Sequence, residues 1–214
     1  MRSVQGPLPI LFSIGCVVVI VALGARHVAP WPMSSRLAGG AFLALYLLWL
    51  VGESRVATRE IGKEETRLDR GTMELYAMGR LAAVVAALAF AGPAPTWPIA
   101  IAGFGLFVAG VAFRLVAITT LGKFYSHRVR IADDHAVVQH GPYRFVRHPA
   151  YTGMLVAHLG VSAFFVSPWA LLVTLGVLLP GIVVRIRVEE RALASLPGYA
   201  DYGRGRARLV PLVW

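Results

Sequence analysis

Six stretches of this chain, residues 8–25, 37–51, 73–91, 97–121, 151–166 and 168–186, are apolar over lengths close to those needed to cross a bilayer. A hydrocarbon core of ~30 Å is spanned by about 20 residues of helix, and a helix satisfies its own backbone groups there. The chain therefore reads as an all-α integral membrane protein with five to six transmembrane helices. The second and fifth stretches are short enough to be tilted or only partly inserted. Composition agrees: 57% of residues are hydrophobic and the mean hydropathy is +0.66, against roughly 45–50% apolar residues in a soluble domain. The first stretch is long and no small-x-small site follows it, so it reads as a span and not as a cleaved leader.

Charge sets the expected orientation. Of the 21 Lys and Arg residues, Arg26 and Arg36 alone fall on one side of a six-span path, and Arg80 lies within a span. The excess of basic residues on the other side places both termini, the 52–72 loop and the loop after 121 in the cytoplasm. Topology thus explains the net charge of +10, and no nucleic-acid motif accompanies it, so nucleic acid is not an expected partner. The single cysteine, Cys16, permits neither a disulfide framework nor a cysteine-based metal site, and no metal is expected. The segment 53–72 mixes both signs without an apolar face and reads as a solvated or interfacial connector. The step Ser167-Pro168 turns the last two spans into a helical hairpin, which brings residues 141–153 and 185–202 to the same membrane face.

Those two segments carry the groups suited to chemistry. "KFYSHRVRIADDHAVVQHGPYRFVRHPAY" offers Arg130 for a carboxylate, Tyr143 and Tyr151 for stacking, and fixed non-helical backbone at Gly141-Pro142 and His148-Pro149. An ordinary basic, aromatic interfacial belt has the same composition. In "RIRVEERALASLPGYADY", Arg185 and Glu189 are four apart and share a helix face. A surface ion pair is the plain reading, but Arg before Glu is the weaker order, and Glu189-Glu190 beside a bilayer is costly without partners.

The string "HAVVQHGPYRFVRHPAYTG", a hydrophobic hairpin and then "EERALASLPGYADY" resemble the isoprenylcysteine carboxyl methyltransferase family and the related membrane phospholipid methyltransferases. Both halves of the pattern G-x-Y-x-x-x-R-H-P-x-Y-x-G and E-E-x-x-L with a tyrosine pair occur in order. Leu196-Pro197 departs from it, standing where the family often has an aromatic residue. The match divides the chain into transmembrane helices over 1–121 and a methyltransferase-like cofactor-binding region over 122–214. It implies that cytoplasmic segments hold S-adenosyl-L-methionine without a Rossmann domain. "GFGLFVAG" at 103 lies inside an apolar span and is no nucleotide turn. The resemblance implies cofactor contacts from His135, Ala136, Val137, Val138, Tyr143, His148, Pro149, Ala150, Tyr151 and Glu189, with Arg130 as an addition. It places the substrate carboxylate at Arg185, which with Glu189 forms the catalytic pair. The implied partners are a lipophilic or prenylated acceptor and membrane lipid. Phospholipid amines, small thiols and other lipophilic acids stay open as acceptors, and if the acceptor is an amine, Glu189, Glu190 or a histidine becomes a candidate base. An NADPH-dependent membrane reductase of the sterol reductase type and a non-catalytic membrane scaffold are the competing readings.

Within the spans, Arg80 and Arg114 are expected to be structural, with Arg114 snorkelling from a helix end. His158 is expected to bond between helices, and Gly103, Gly105 and Gly110 to let helices approach closely.

Overall fold

The computed structural model describes residues 8–58, 71–90, 92–126, 136–211 and 213–214, with the side chains of 8–13 and 54–58 outside that description. Each of the six apolar stretches is helical. Helices α1 (Leu8–Val28), α2 (Met33–Thr58), α3 (Thr72–Ala89), α4 (Trp97–Leu121) and α5 (Pro149–Phe164) are followed by α6 (Pro168–Val173). A π-helical turn at Thr174–Leu178 then runs into α7 (Leu179–Leu193), and a short α8 (Tyr199–Gly203) follows. Among the described residues, four helical stretches are long and apolar enough to cross a membrane: Met33–Glu53, Thr72–Ala89, Trp97–Phe124 and Pro168–Leu193. Helix α5, with 16 residues, is shorter. No strand is present among the described residues, where pairing outside helices is limited to an isolated parallel bridge between Val146 and Ala207.

Helix starts follow local chemistry. Proline stands in the first turn of α4, α5 and α6, where its missing N–H would have had no partner in any case. The hairpin turn falls where the sequence placed it. Ser167 Oγ accepts from Ala170 N at 3.2 Å, capping α6, and donates to Phe90 O at 3.0 Å, tying the turn to the end of α3. The outer faces are apolar, as lipid requires: Leu48, Ile101 and Leu172 are 60–68% exposed. Inside, Phe42, Phe107, Phe164 and Phe165 form the aromatic centre, with Phe42 stacked on Phe164 at 4.3 Å between ring centroids.

Helices α4 and α5 make the most extensive contact in the bundle. Gly103 and Gly110 on α4 face Gly153 and Gly160 on α5, so the two backbones touch. A Cβ at Gly153 would sit 2.6 Å from Arg114 N and from Gly110 O, both main-chain atoms that cannot swing aside. Gly105 departs from the sequence expectation: it has nothing within 4 Å and belongs to the outer face. Gly153→Val is expected to force α4 and α5 apart and to cost about 1–3 kcal/mol or more, whereas Gly105→Ala should leave the melting temperature in detergent unchanged. Equal melting of the two variants would remove close backbone contact as the reason for the seam.

Candidate active site

The ends of α4 and α7 and the starts of α3 and α5 meet at one end of the bundle around an open cavity, with the end of α2 bonded to Arg114 on its wall. Its walls come from Tyr76 of α3, Arg114 and Leu121 of α4, the stretch 122–126, residues 136–138, the turn at Gly141–Arg144, the start of α5, and α7 with the segment after it. The cavity therefore crosses the boundary at residue 121 drawn from the motif. Helix α3, which carries no motif, supplies part of the wall.

One polar network lies along α7. Arg185 is 1% exposed. Its Nε donates to Tyr151 Oη at 3.0 Å and its Nη1 to Thr72 Oγ1 at 2.8 Å. Tyr151 in turn donates to Glu189 Oε1, which lies 3.7 Å from Arg185 Nε. The pair four residues apart is thus real, but its arginine is buried and its glutamate half-buried, with a tyrosine hydroxyl bridging them. His148, at the residue preceding Pro149, places Nδ1 3.5 Å from Glu189 Oε2 and Nε2 3.5 Å from Glu190 Oε1. Burial favours neutral His148, yet the two carboxylates outweigh it and hold its pKa above the ordinary histidine value.

That shift carries a sign. The unfolded imidazole titrates near ~6.5, so the stability contributed by charged His148 is complete below that pH and is lost as pH rises through the raised folded value. Melting temperature in nanodiscs is expected to fall on going from about pH 6 to about pH 8, and His148→Gln should flatten the slope. Parallel slopes in the two proteins would show that His148 does not carry the dependence. Tyr143 is different: burial, with the Glu189 charge adding to it, pushes its phenol far up, so it stays neutral. Tyr202, pushed up by burial to about 12, donates to Tyr143 O at 3.0 Å and fixes that turn.

A second network joins α2, α3 and α4. Arg114 grips Glu53 with two hydrogen bonds, Nε to Oε1 at 2.9 Å and Nη2 to Oε2 at 2.7 Å, and donates to Tyr125 Oη and Ala150 O. Arg80 Nη1 reaches Glu53 Oε2 at 3.4 Å. The expected snorkelling of Arg114 is not what occurs. It is 1% exposed, because a carboxylate delivered by α2 removes any need to reach the interface. Glu53 is likewise no part of a solvated connector: α2 continues to Thr58 and buries it. His158 meets both its own helix and its neighbours. Its Nδ1 bonds Met154 O within its own helix at 2.9 Å, and across helices it offers its ring to Trp49.

Of the residues singled out by sequence, Ala136, Val137, Val138, Tyr143, His148, Ala150, Tyr151, Arg185 and Glu189 line this one cavity. Pro149 is buried behind it as the first residue of α5. Arg130 and His135 lie outside the described residues. Sequence reasoning missed Glu53, Thr72, Tyr76 and Tyr125. For Glu53 the signal was present, since an acid directly after an apolar span needs a partner.

Fold and site define a polytopic helical membrane protein with a half-enclosed, largely apolar cavity at one end of its bundle, into which a few charged side chains are set. Residues 102–195 match the model of the isoprenylcysteine carboxyl methyltransferase (ICMT) family. Protein-S-isoprenylcysteine O-methyltransferase A of Arabidopsis thaliana is 30% identical over 128 residues, 58% of this chain and 65% of that protein. Protein-S-isoprenylcysteine O-methyltransferase of Saccharomyces cerevisiae is 34% identical over 90 residues, 41% of this chain and 38% of that protein. The solved structure of the eukaryotic intramembrane Ras methyltransferase ICMT superimposes with a TM-score of 0.57 over 92% of this chain and 74% of that one, at 22% sequence identity. The chain spans 59–65% of the length of the first curated relatives it matches. The resemblance read from the motif is borne out: this chain is related to the isoprenylcysteine carboxyl methyltransferases in sequence through residues 102–195, and in fold over nearly its whole length.

Proposed function

We propose that this protein is an S-adenosyl-L-methionine-dependent methyltransferase that esterifies the carboxylate of a lipophilic acceptor, a prenylated cysteine first among them. The observation that carries the reading is the juxtaposition of buried Arg185 and half-buried Glu189 on one cavity wall, 3.7 Å apart and locked by Tyr151 and Thr72. The names of the relatives support the same reaction class.

The residues present fit the methyl donor. The hydroxyls of Tyr76 and Tyr199 are buried on the cavity wall without a hydrogen-bond partner among the described residues, as expected of a site built for a polar ligand. Tyr143 offers an aromatic face, residues 136–138 a non-helical backbone, and Glu189 a carboxylate for a cationic group. Those residues, with His148, Ala150 and Tyr151, would hold the donor. Pro149 acts by ending the loop there, and Arg130 and His135 join by resemblance alone. When bound, S-adenosyl-L-methionine supplies an electrophilic methyl group on a sulfonium, open to in-line displacement by a nucleophile.

The protein's own part is then positioning and desolvation. A carboxylate acceptor is ionised at neutral pH and needs no base. Arg185, held by Nε and Nη1, orients it, and its own fixed geometry limits the acceptor's freedom. Glu189 keeps positive charge favourable beside it, and the apolar walls restrict water. A cytoplasmic-facing cavity follows from the basic excess on the connections that form it.

The reductase reading is disfavoured by the cavity's cations. Of the three arginines on the described walls, Arg114 is committed to Glu53, Arg147 to Glu190, and Arg185 meets neutral hydroxyls, a poor provision for the several phosphates of NADPH. Equilibrium binding in lipid nanodiscs tests the assignment. S-adenosylhomocysteine should bind, Glu189→Gln should weaken it by at least about tenfold, and NADPH should not compete. Preferential binding of NADPH would transfer the site to the reductase class.

A further inference from the structure

Glu190 does not line the cavity, yet three groups converge on it. Arg147 Nη1 donates to Oε1 at 2.9 Å, Arg208 Nε donates to Oε2 at 2.8 Å, and His148 Nε2 lies 3.5 Å from Oε1. The two arginines come from separate stretches of chain, one just before α5 and one in the 204–214 segment. That segment is laid against the loop carrying His148. Arg147 N donates to Ala207 O at 2.9 Å, His148 N to Arg208 O at 3.0 Å, and Thr152 Oγ1 to Leu209 O at 2.7 Å. Arg147 Nε reaches Arg206 O at 2.8 Å, and the Arg208 guanidinium stacks 5.0 Å from the Trp214 ring centroid.

These bonds have a definite mechanical effect. The two residues before Pro149 have their N–H groups fixed by the 204–214 segment, and Pro149 has none to fix. The loop's side chains are then pulled toward α7 by two charge-assisted hydrogen bonds to a single carboxylate, each stronger than a neutral bond. Arg147 and Glu190 are each less than one quarter exposed, so the attraction is only partly screened.

We infer that Glu190 is a positioning residue and that the 204–214 segment, through Arg208, completes the site by clamping the His148 loop to α7 so that His148 and Glu189 face the cavity together. This rests on the reading that His148 and Glu189 hold the methyl donor. It assigns the second glutamate of the pair a task distinct from the first. Glu189 touches the cavity, whereas Glu190 acts through Arg147, His148 and Arg208. The charged groups around His148 are Glu189 and Glu190 on α7, Arg147 beside it, Arg185 beyond Glu189 and Arg208 beyond Glu190.

The test is a double-mutant cycle on the full chain in nanodiscs, read by binding of S-adenosylhomocysteine. Arg208→Ala and Glu190→Gln should each weaken binding by about tenfold, and the double variant should be no weaker than Glu190→Gln alone, because Arg208 acts through that carboxylate. Arg208→Lys should restore part of the loss, and Arg204→Ala, in an exposed pair with Asp201, should change nothing. Wild-type affinity in both single variants, or losses that multiply in the double, would overturn the clamp. Histidine-selective NMR keeps the two readings apart. Glu190→Gln should lower the pH at which His148 titrates whether or not any ligand binds. An unshifted titration overturns the clamp. A shifted titration in a wild-type protein that binds no S-adenosylhomocysteine supports the clamp and sinks the cofactor assignment. Should Glu190→Gln fail to fold, the Arg208 variants carry the cycle, with Arg147→Ala as the second partner.

Discussion

Arg185→Ala is expected to lower methyl transfer to a prenylcysteine acceptor by about 10²–10³-fold, the scale seen when a preorganised charge contact at a reacting centre is lost. The change removes the donor to Tyr151 and to Thr72 together and leaves Glu189 without the arginine beside it. Arg185→Lys should recover only a small part. A compact ammonium on a flexible stem keeps the charge but not the planar fork that meets Tyr151 and Thr72 at once. Steady-state kinetics in nanodiscs should place most of the Arg185→Lys loss in kcat/KM for the acceptor, with S-adenosylhomocysteine affinity changed much less. A variant that turned over at the wild-type rate would remove Arg185 from acceptor orientation.

Glu53→Ala is expected to cost about 3–5 kcal/mol, the penalty for leaving a buried partner charge uncompensated. Arg114, 1% exposed, would then keep only Tyr125 Oη and Ala150 O as acceptors in the bonds described above, and Arg80 would lose its carboxylate. Glu53→Gln should fall between, since the amide oxygen still accepts while the charge is gone. Denaturation midpoints in detergent measure both. An unshifted midpoint in Glu53→Ala would mean that the pair contributes nothing to holding α2 against α4. Because Arg114 lines the cavity and holds Ala150 O, activity should decline alongside stability.

Much of this architecture was legible in one dimension. The windows at 97–121 and 151–166 became α4 and α5 nearly to the residue, since Trp97-Pro98 and Pro149 both mark a helix start. The window at 37–51 fell short of α2 at both ends. Apolarity reports the length exposed to hydrocarbon, whereas the helix Met33–Thr58 continues through polar residues at both ends, one of which, Glu53, is buried. The same distinction hid Glu53 among the charges that follow it. Arg185 and Glu189 could be read because their spacing is local and a charge beside a bilayer demands a reason. Arg147 and Arg208 could not be read as partners of Glu190, since they lie 43 and 18 residues from it in sequence and only the folded path joins them. Gly105 was misassigned because glycine spacing alone does not tell which face of α4 meets α5.

The π-helical turn at Thr174–Leu178 has a consequence for the cavity some two turns further on. A π turn takes in one residue more than an α turn, and one residue corresponds to about 100° of rotation around a helix. All of α7 is therefore rotated relative to the course that an uninterrupted α6 would have dictated. Leu178, the last residue of the turn, lies against Gly79, where a Cβ would come 3.1 Å from its Cα, so α3 holds the widened turn closely. The azimuth of Arg185 and Glu189, and with it the choice between pointing at Tyr151 and pointing at lipid, is set deep in the hydrocarbon layer by a single inserted residue rather than by anything at the membrane surface.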